Sequence, residues 1–219
     1  MNLLLFGAPG SGKGTQAEFL KRRYRIPQIS TGDMFRAEAA KGTELGKRVD
    51  AIMKSGELVP DDLTIAIVRK RLAEPNTEAG TIFDGFPRTI PQAEALDQVM
   101  GELDRHFDRA LYLVAPEEEL IARLAGRLTC PKDGRTFHPK FNPPPVPGIC
   151  PFDGTPLIQR KDDTEEAART RVAVYLRDTV PVIEYYKAGG LVSEVDALKS
   201  IPEVRAEIEK ALEGVSTKR

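Results

Sequence analysis

Gly7-Ala8-Pro9-Gly10-Ser11-Gly12-Lys13-Gly14-Thr15, entered from the apolar run Leu3-Leu4-Leu5-Phe6, decides the fold. A short apolar run that stops at glycine reads as a buried strand. The glycines let the backbone curl until its N–H groups face inward, which makes a nest for an anion. A helical pattern begins near Lys13 and adds its positive N-terminal end. Lys13 is a mobile cation for the β- and γ-phosphates of a nucleoside triphosphate, and Thr15 offers a hydroxyl to Mg²⁺. The general pattern G-x-x-x-x-G-K-[ST] is met with one irregularity. Gly14 stands in the hydroxyl position and Thr15 follows it.

Outward from this loop, apolar runs at 3–6, 81–83, 110–114 and 191–195 alternate with helical patterns at 13–24, 61–73, 90–100, 117–125, 164–187 and 202–212. Alternation of this kind predicts an α/β fold with a parallel sheet and helices on both faces. Two stretches depart from it. Residues 30–59 read as helical, over 31–40 and 43–55, with a break at Gly42. Residues 126–163 are proline-rich, hold both cysteines and carry a short duplication, Cys130-Pro-Lys-Asp-Gly134 against Cys150-Pro-Phe-Asp-Gly154. This second stretch reads as a small β or irregular insertion.

The bulk numbers narrow the classes. The chain has 219 residues, 41% of them hydrophobic and 30% charged, with a formal net charge of −1. That suits one α/β domain with insertions and argues against a sequence-independent nucleic-acid binder. No apolar run approaches the ~20 residues of a membrane span. Two cysteines and no export signal predict a cytoplasmic protein.

Several motifs occur in order: GAPGSGKGTQ at 7–16, STGDMFR at 30–36, GELV at 56–59, DGFPRT at 84–89, GR at 126–127 and QRKDD at 159–163. Together they resemble the nucleoside monophosphate kinases, and within them the adenylate kinases with the long lid of bacteria. The resemblance spans essentially the whole chain, and the displaced Thr15 fits that family's loop. It implies a P-loop kinase fold with a five-stranded parallel sheet. Residues 1–29, 60–125 and 164–219 would form a CORE domain, 30–59 a helical monophosphate-binding insertion and 126–163 a β LID, with hinges near Gly126 and 160–163. It implies transfer of a phosphoryl group from Mg·ATP to AMP, in a monomer.

The resemblance also distributes roles. Gly10, Ser11, Gly12, Lys13, Gly14 and Thr15 would hold the ATP phosphates, with Arg123 and Arg127 facing them. Thr136 and Phe137 would lie over the ATP adenine, and Lys199 near its edge. Thr31, Arg36, Glu57, Leu58, Val59, Gly85, Phe86, Pro87, Arg88, Gln92, Arg160 and Arg171 would bind AMP. Arg160 and Arg171 would bridge the transferring group as the lid closes, and Asp84 would hold Mg²⁺ through water. Lys13, Arg88, Arg123, Arg127, Arg160 and Arg171 are the expected catalytic set. A guanidinium is always charged and binds phosphate bidentately, as joining two polyanions demands. Asp162 and Asp163 read mainly as N-terminal charges for the helix beginning near Thr164. Other acceptor bases, or GTP as donor, remain as alternatives within the class. A P-loop switch lacks support, because no Asn-Lys-x-Asp motif is present.

Cys130-x₂-Asp133-x₁₆-Cys150-x₂-Asp153 has zinc-ribbon spacing. Related lids carry four ligands here, mostly Cys, so two Asp residues depart from the pattern. Structural Zn²⁺ is the expectation, with a metal-free hydrogen-bonded quartet and a Cys130–Cys150 disulfide as alternatives. His138 is a spare candidate ligand at a position that the family does not use for metal, and His106 reads as surface.

Overall fold

Leu3, Leu4 and Leu5 are at most 1% exposed, because the strand that carries them lies mid-sheet with helices on both sides. A computed structural model describes residues 1–160 and 162–215 of the protein. Lys161 of the QRKDD motif and residues 216–219 of the expected CORE lie outside the described residues.

The main sheet contains β1 (Asn2–Phe6), β2 (Gln28–Ser30), β3 (Thr81–Asp84), β4 (Arg109–Val114) and β7 (Val192–Asp196). They run in the order β2-β3-β1-β4-β7, all parallel, with Leu5 beside Asp84 and Leu111. Successive side chains leave a strand on opposite faces. Leu4 and Phe6 therefore join Phe83, Leu96 and Val182 on one face. Leu3 and Leu5 join Leu20, Ile82, Leu111 and Ile208 on the other. Each such leucine contributes roughly 1.5–3 kcal/mol on burial.

The helices α1 (Lys13–Tyr24), α4 (Asp61–Leu72), α5 (Ile90–Glu102), α6 (Glu117–Ala125), α7 (Glu165–Val174), α8 (Val180–Ala188) and α9 (Ile201–Ala211) surround this sheet. The insertion after β2 is α2 (Thr31–Ala40) and α3 (Glu44–Ser55), closed over a small core of Phe35, Val49 and Val59. The insertion after α6 pairs β5 (Leu128–Thr129) with β6 (Thr136–Phe137) antiparallel.

Two elements differ from the sequence reading. The fifth strand, β2, has no run of its own in that reading. It is three residues long behind Pro27, and its ladder comes from β3. The single helix expected over 164–187 is interrupted by a π-turn, Tyr175–Thr179, just before Pro181. Proline cannot donate and crowds the carbonyl four residues earlier, and a widened turn relieves that conflict.

The carboxyl ends of β1, β2 and β3 bring the loop after Phe6, Thr31 and Asp84-Gly85 to one edge. That is where open α/β sheets bind ligands.

Candidate functional site

Gly10 and Gly12 hold φ of 89° and 92°, values that strain a residue with a Cβ and that glycine adopts freely. Gly12 caps α1 with no side chain, leaving first-turn N–H groups for an anion. Ser11 is turned inward at 3% exposure, and its N–H donates to the Ala8 carbonyl at 3.1 Å. The Lys13 ammonium folds back over the loop, donating to the carbonyls of Gly7 (2.6 Å) and Ala8 (3.1 Å). Burial pushes Lys13 down to about 8; Arg88, Arg171 and Arg127 add to this and Asp84 opposes it. Asp84 ends β3 at the cleft floor and accepts from Gln28 Nε2 at 2.8 Å. Burial pushes its carboxyl up, against the pull of Lys13.

A cleft of about 1280 Å³ is lined by the loop from Pro9 to Gln16, by Asp84, and by Arg36, Arg88, Arg123, Arg127, Arg160 and Arg171. All six arginines expected from the sequence thus line one cleft, from four separate stretches of the chain: α2, the loop after β3, the end of α6 and just beyond it, and α7 with the stretch leading into it. Arg127 donates to Asp163, from Nε at 2.8 Å, and Arg171 reaches both Asp163 and Asp162 at 3.0 Å. Arg123 is held by Glu119 at 2.9 Å and by the Ala197 carbonyl at 2.8 Å. Arg36 pairs with Asp33. Arg88 and Arg160 have no acidic partner within 4.0 Å among the described residues. Arg88 Nε donates to the Gly85 carbonyl at 2.8 Å and Arg160 Nε to Thr129 Oγ1 at 3.0 Å. Burial pushes both guanidiniums down. Uncompensated partly buried cations cost stability, and a polyanion removes that cost.

Asp162 and Asp163 correct the sequence reading. Thr164 itself caps α7, accepting from the Ala167 N–H at 3.3 Å. The two carboxylates, 7% and 0% exposed, instead clamp Arg127 and Arg171.

A second cavity, about 60 Å³, is lined by Thr31, Arg36, Glu57, Leu58, Val59, Gly85, Arg88, Gln92 and Arg171, among others. Thr31 donates its hydroxyl proton to the Gly85 carbonyl at 2.7 Å. Gln92 is 2% exposed. Phe86 packs into the core at 2% exposure, so only its backbone is near this cavity's Gly85 and Arg88. Arg160 lines the larger cleft and not the smaller one.

Thr136, Phe137 and Lys199 line the larger cleft. The Phe137 ring, however, belongs to the small LID core with Cys130 and Cys150, which favours packing over a place above a base. Phe141, absent from the sequence reading, lines the cleft with the Arg123 guanidinium 4.9 Å over its ring. Two aromatics in one irregular loop gave no signal for choosing between them. Lys199 is exposed and pairs with Glu207.

In the LID, one donor atom each from Cys130, Asp133, Cys150 and Asp153 lies within 4.8 Å of the others. The two knuckles are matched: Gly134 and Gly154 hold φ of 74° and 73°, and each donates its N–H to the cysteine carbonyl at 3.0 Å. Tetrahedral zinc separates a thiolate and a carboxylate oxygen by roughly 3.5 Å, given bonds of about 2.3 and 2.0 Å. Cys130 Sγ stands 3.5 Å from Asp153 Oδ2, and the donor chemistry suits Zn²⁺. Both cysteines are free thiols, so the disulfide alternative falls. His138 lies apart from the quartet: its Nδ1 accepts from the Lys140 N–H at 3.0 Å, and its ring covers Gly126, where a Cβ would stand 2.3 Å from Nε2. His106 is exposed.

A family model described as adenylate kinase matches residues 5–191. An adenylate kinase from Staphylococcus epidermidis is 48% identical over 208 residues, 95% of this chain and 97% of that relative. One from Staphylococcus aureus is 46% identical with the same coverage.

Proposed function

This chain belongs to the adenylate kinase family, and on that premise we propose how its residues divide the reaction. The protein is an adenylate kinase, moving a phosphoryl group from Mg·ATP to AMP and yielding two ADP. The relatives' shared name does not favour another acceptor base or a GTP donor.

One observation carries the division of roles. The two cavities share Gly32, Arg36, Gly85, Arg88 and Arg171, so occupants of each would meet phosphate to phosphate at those residues. We assign ATP to the larger cleft, its phosphates on the loop amides and Lys13 and its adenine toward Thr136 and Lys199, with the Phe137 ring packing the LID core behind them. AMP takes the side of the smaller cavity, which widens beyond its about 60 Å³ as the 30–59 insertion moves to admit it, with its phosphate on Arg36 and Arg88 and its base toward Thr31 and Gln92. Thr31 donates inward, so it presents only lone pairs to the cavity, a match for an amino group on the base.

An AMP phosphate oxygen attacks the γ-phosphorus in line, and the bond to the β,γ-bridging oxygen breaks. No covalent enzyme intermediate forms. Charge spreads over the equatorial oxygens, and the fixed cations Lys13, Arg88, Arg127, Arg160 and Arg171 stabilise it. Asp84 and Thr15 fit a hydrated Mg²⁺, whose contribution is to neutralise phosphate charge. Closure of the insertions 30–59 and 126–163, hinged at Gly126 and 160–163, keeps out water that would otherwise accept the phosphoryl group.

We further propose structural Zn²⁺ on Cys130, Asp133, Cys150 and Asp153. The small apolar content of the LID core supports this. A monomer in the cytoplasm, without nucleic-acid partners, is the accompanying reading. No described helix is long and apolar enough to cross a membrane.

ADP formation measured with AMP, CMP, UMP and GMP against ATP and GTP tests the assignment. AMP with ATP should be fastest. Equal or faster turnover of another monophosphate would overturn the acceptor reading.

A further inference from the structure

Asp61 opens α4 and is absent from the residues that line either cavity. It nevertheless grips two residues of the acceptor side. Its Oδ1 accepts from Gln92 Nε2 at 2.7 Å and its Oδ2 from Thr89 Oγ1 at 2.9 Å. The Gln92 amide is held at its other end too: Oε1 accepts from the Arg88 N–H at 2.8 Å.

These partners each have one polarity. An ionised carboxylate only accepts and a backbone N–H only donates. The amide orientation is therefore forced. Turning it over would set Oε1 against the Asp61 carboxylate and an N–H against the Arg88 N–H. Thr89 reinforces the order: its oxygen accepts from the Gln92 N–H at 3.3 Å, so its proton goes to Asp61.

Fixed in this way, the amide keeps one N–H and one oxygen lone pair free, and Gln92 lines the smaller cavity. Adenine offers a donor at its 6-amino group and an acceptor at N1. A 6-oxopurine offers the reverse, an acceptor at O6 and a donor at N1. An amide free to flip would serve both edges, whereas a locked one serves a single polarity. We propose that Asp61 is a positioning residue that locks the polarity of the Gln92 amide and so makes the acceptor site select adenine over 6-oxopurines. The proposal rests on the reading that Gln92 faces the acceptor base.

Inosine monophosphate is the sharpest probe, because it differs from AMP only along that edge. Steady-state kcat and KM for AMP and for inosine monophosphate are measured at saturating ATP in the wild type, Asp61→Asn and Gln92→Ala. In Asp61→Asn the introduced amide both donates and accepts, so the lock opens without loss of volume. The AMP-to-inosine monophosphate ratio of kcat/KM should fall about tenfold or more in Asp61→Asn. The change should lie mainly in KM, with kcat for AMP within about threefold of wild type. A general loss of structure would lower both substrates together and leave the ratio unmoved. If Asp61→Asn fails to fold by circular dichroism, Asp61→Ser, suited to a helix start, reads the same ratio. A ratio within about twofold of wild type in the Asp61 variant, alongside a collapsed ratio in Gln92→Ala, overturns the lock and leaves the base reading standing. An unchanged ratio in Gln92→Ala overturns both.

Discussion

The phosphate cleft and the LID knuckles both gather four or more polar side chains, but by different means. In the cleft, Lys13, Arg88, Arg123 and Arg171 sit on elements packed against the sheet, while Arg36 comes from the insertion 30–59 and Arg127 and Arg160 from 126–163. Arg88 has its side chain on the Gly85 carbonyl, its N–H on Gln92 and its carbonyl on Thr179 at 3.1 Å. In the LID, the quartet rests on two short strands and a core of Cys130, Phe137 and Cys150 with Leu128 and Leu157 beside it. The cleft is preorganised by folding; the LID, by this reading, needs its ion. Charge placed by a core persists without ligand, whereas charge placed by a small insertion depends on what it binds.

The largest effect should come from loosening the clamp between the two regions. Asp163→Asn leaves Arg127 and Arg171 with less counter-charge at a position fully shielded from water. Breaking such a pair costs about 3 kcal/mol, which calorimetry or denaturant titration would register. An unchanged midpoint would mean that the clamp is decorative. Next come Lys13→Ala and Arg88→Ala, each expected to lower kcat by at least about 10²-fold with the melting temperature little changed. Near-normal turnover in either would remove that residue from the catalytic set.

Stripping the LID should cost less. Chelation or Cys130→Ser is expected to reduce activity about tenfold and to raise proteolytic sensitivity within 126–163, while far-UV dichroism of the CORE stays. Elemental analysis of protein prepared without chelator gives the prior check: below about 0.2 zinc per chain, the quartet is held by hydrogen bonds instead.

The smallest effect is a proton. Lys13 sits at about 8 in the free protein, below the lysine value in an unfolded chain, ~10.4. Between those values the unfolded chain binds more protons, so this residue's share of stability rises with pH across that window. ATP phosphates restore the charged form. Binding near pH 9 should thus take up part of a proton, seen as a dependence of calorimetric enthalpy on buffer ionisation. No uptake would place Lys13 away from the phosphates.

The sequence carried the parts whose causes are local. The start of α1 at Lys13 and the bounds of α6 follow from glycine, acidic first turns and periodicity, and the expected nucleotide-binding residues other than Phe86 and Pro87 line one or other of the two cavities. What it hid depends on distant partners. β2 becomes a strand only beside β3. Asp162 and Asp163 look like helix-start charges until Arg127 and Arg171 arrive from elsewhere. Asp61 sits in an ordinary acidic first turn, and only the return of α5 sets it against Gln92.

A crystal structure with a dinucleoside polyphosphate that joins two adenosines tests the opposed-cavity assignment most directly. One adenosine should lie in the larger cleft with its phosphates on residues 10–15, the other beside Thr31 and Gln92, and the bridging phosphates between Arg88, Arg127, Arg160 and Arg171. An adenosine bound away from Gln92, or a phosphate chain that bypasses Arg88, would contradict it.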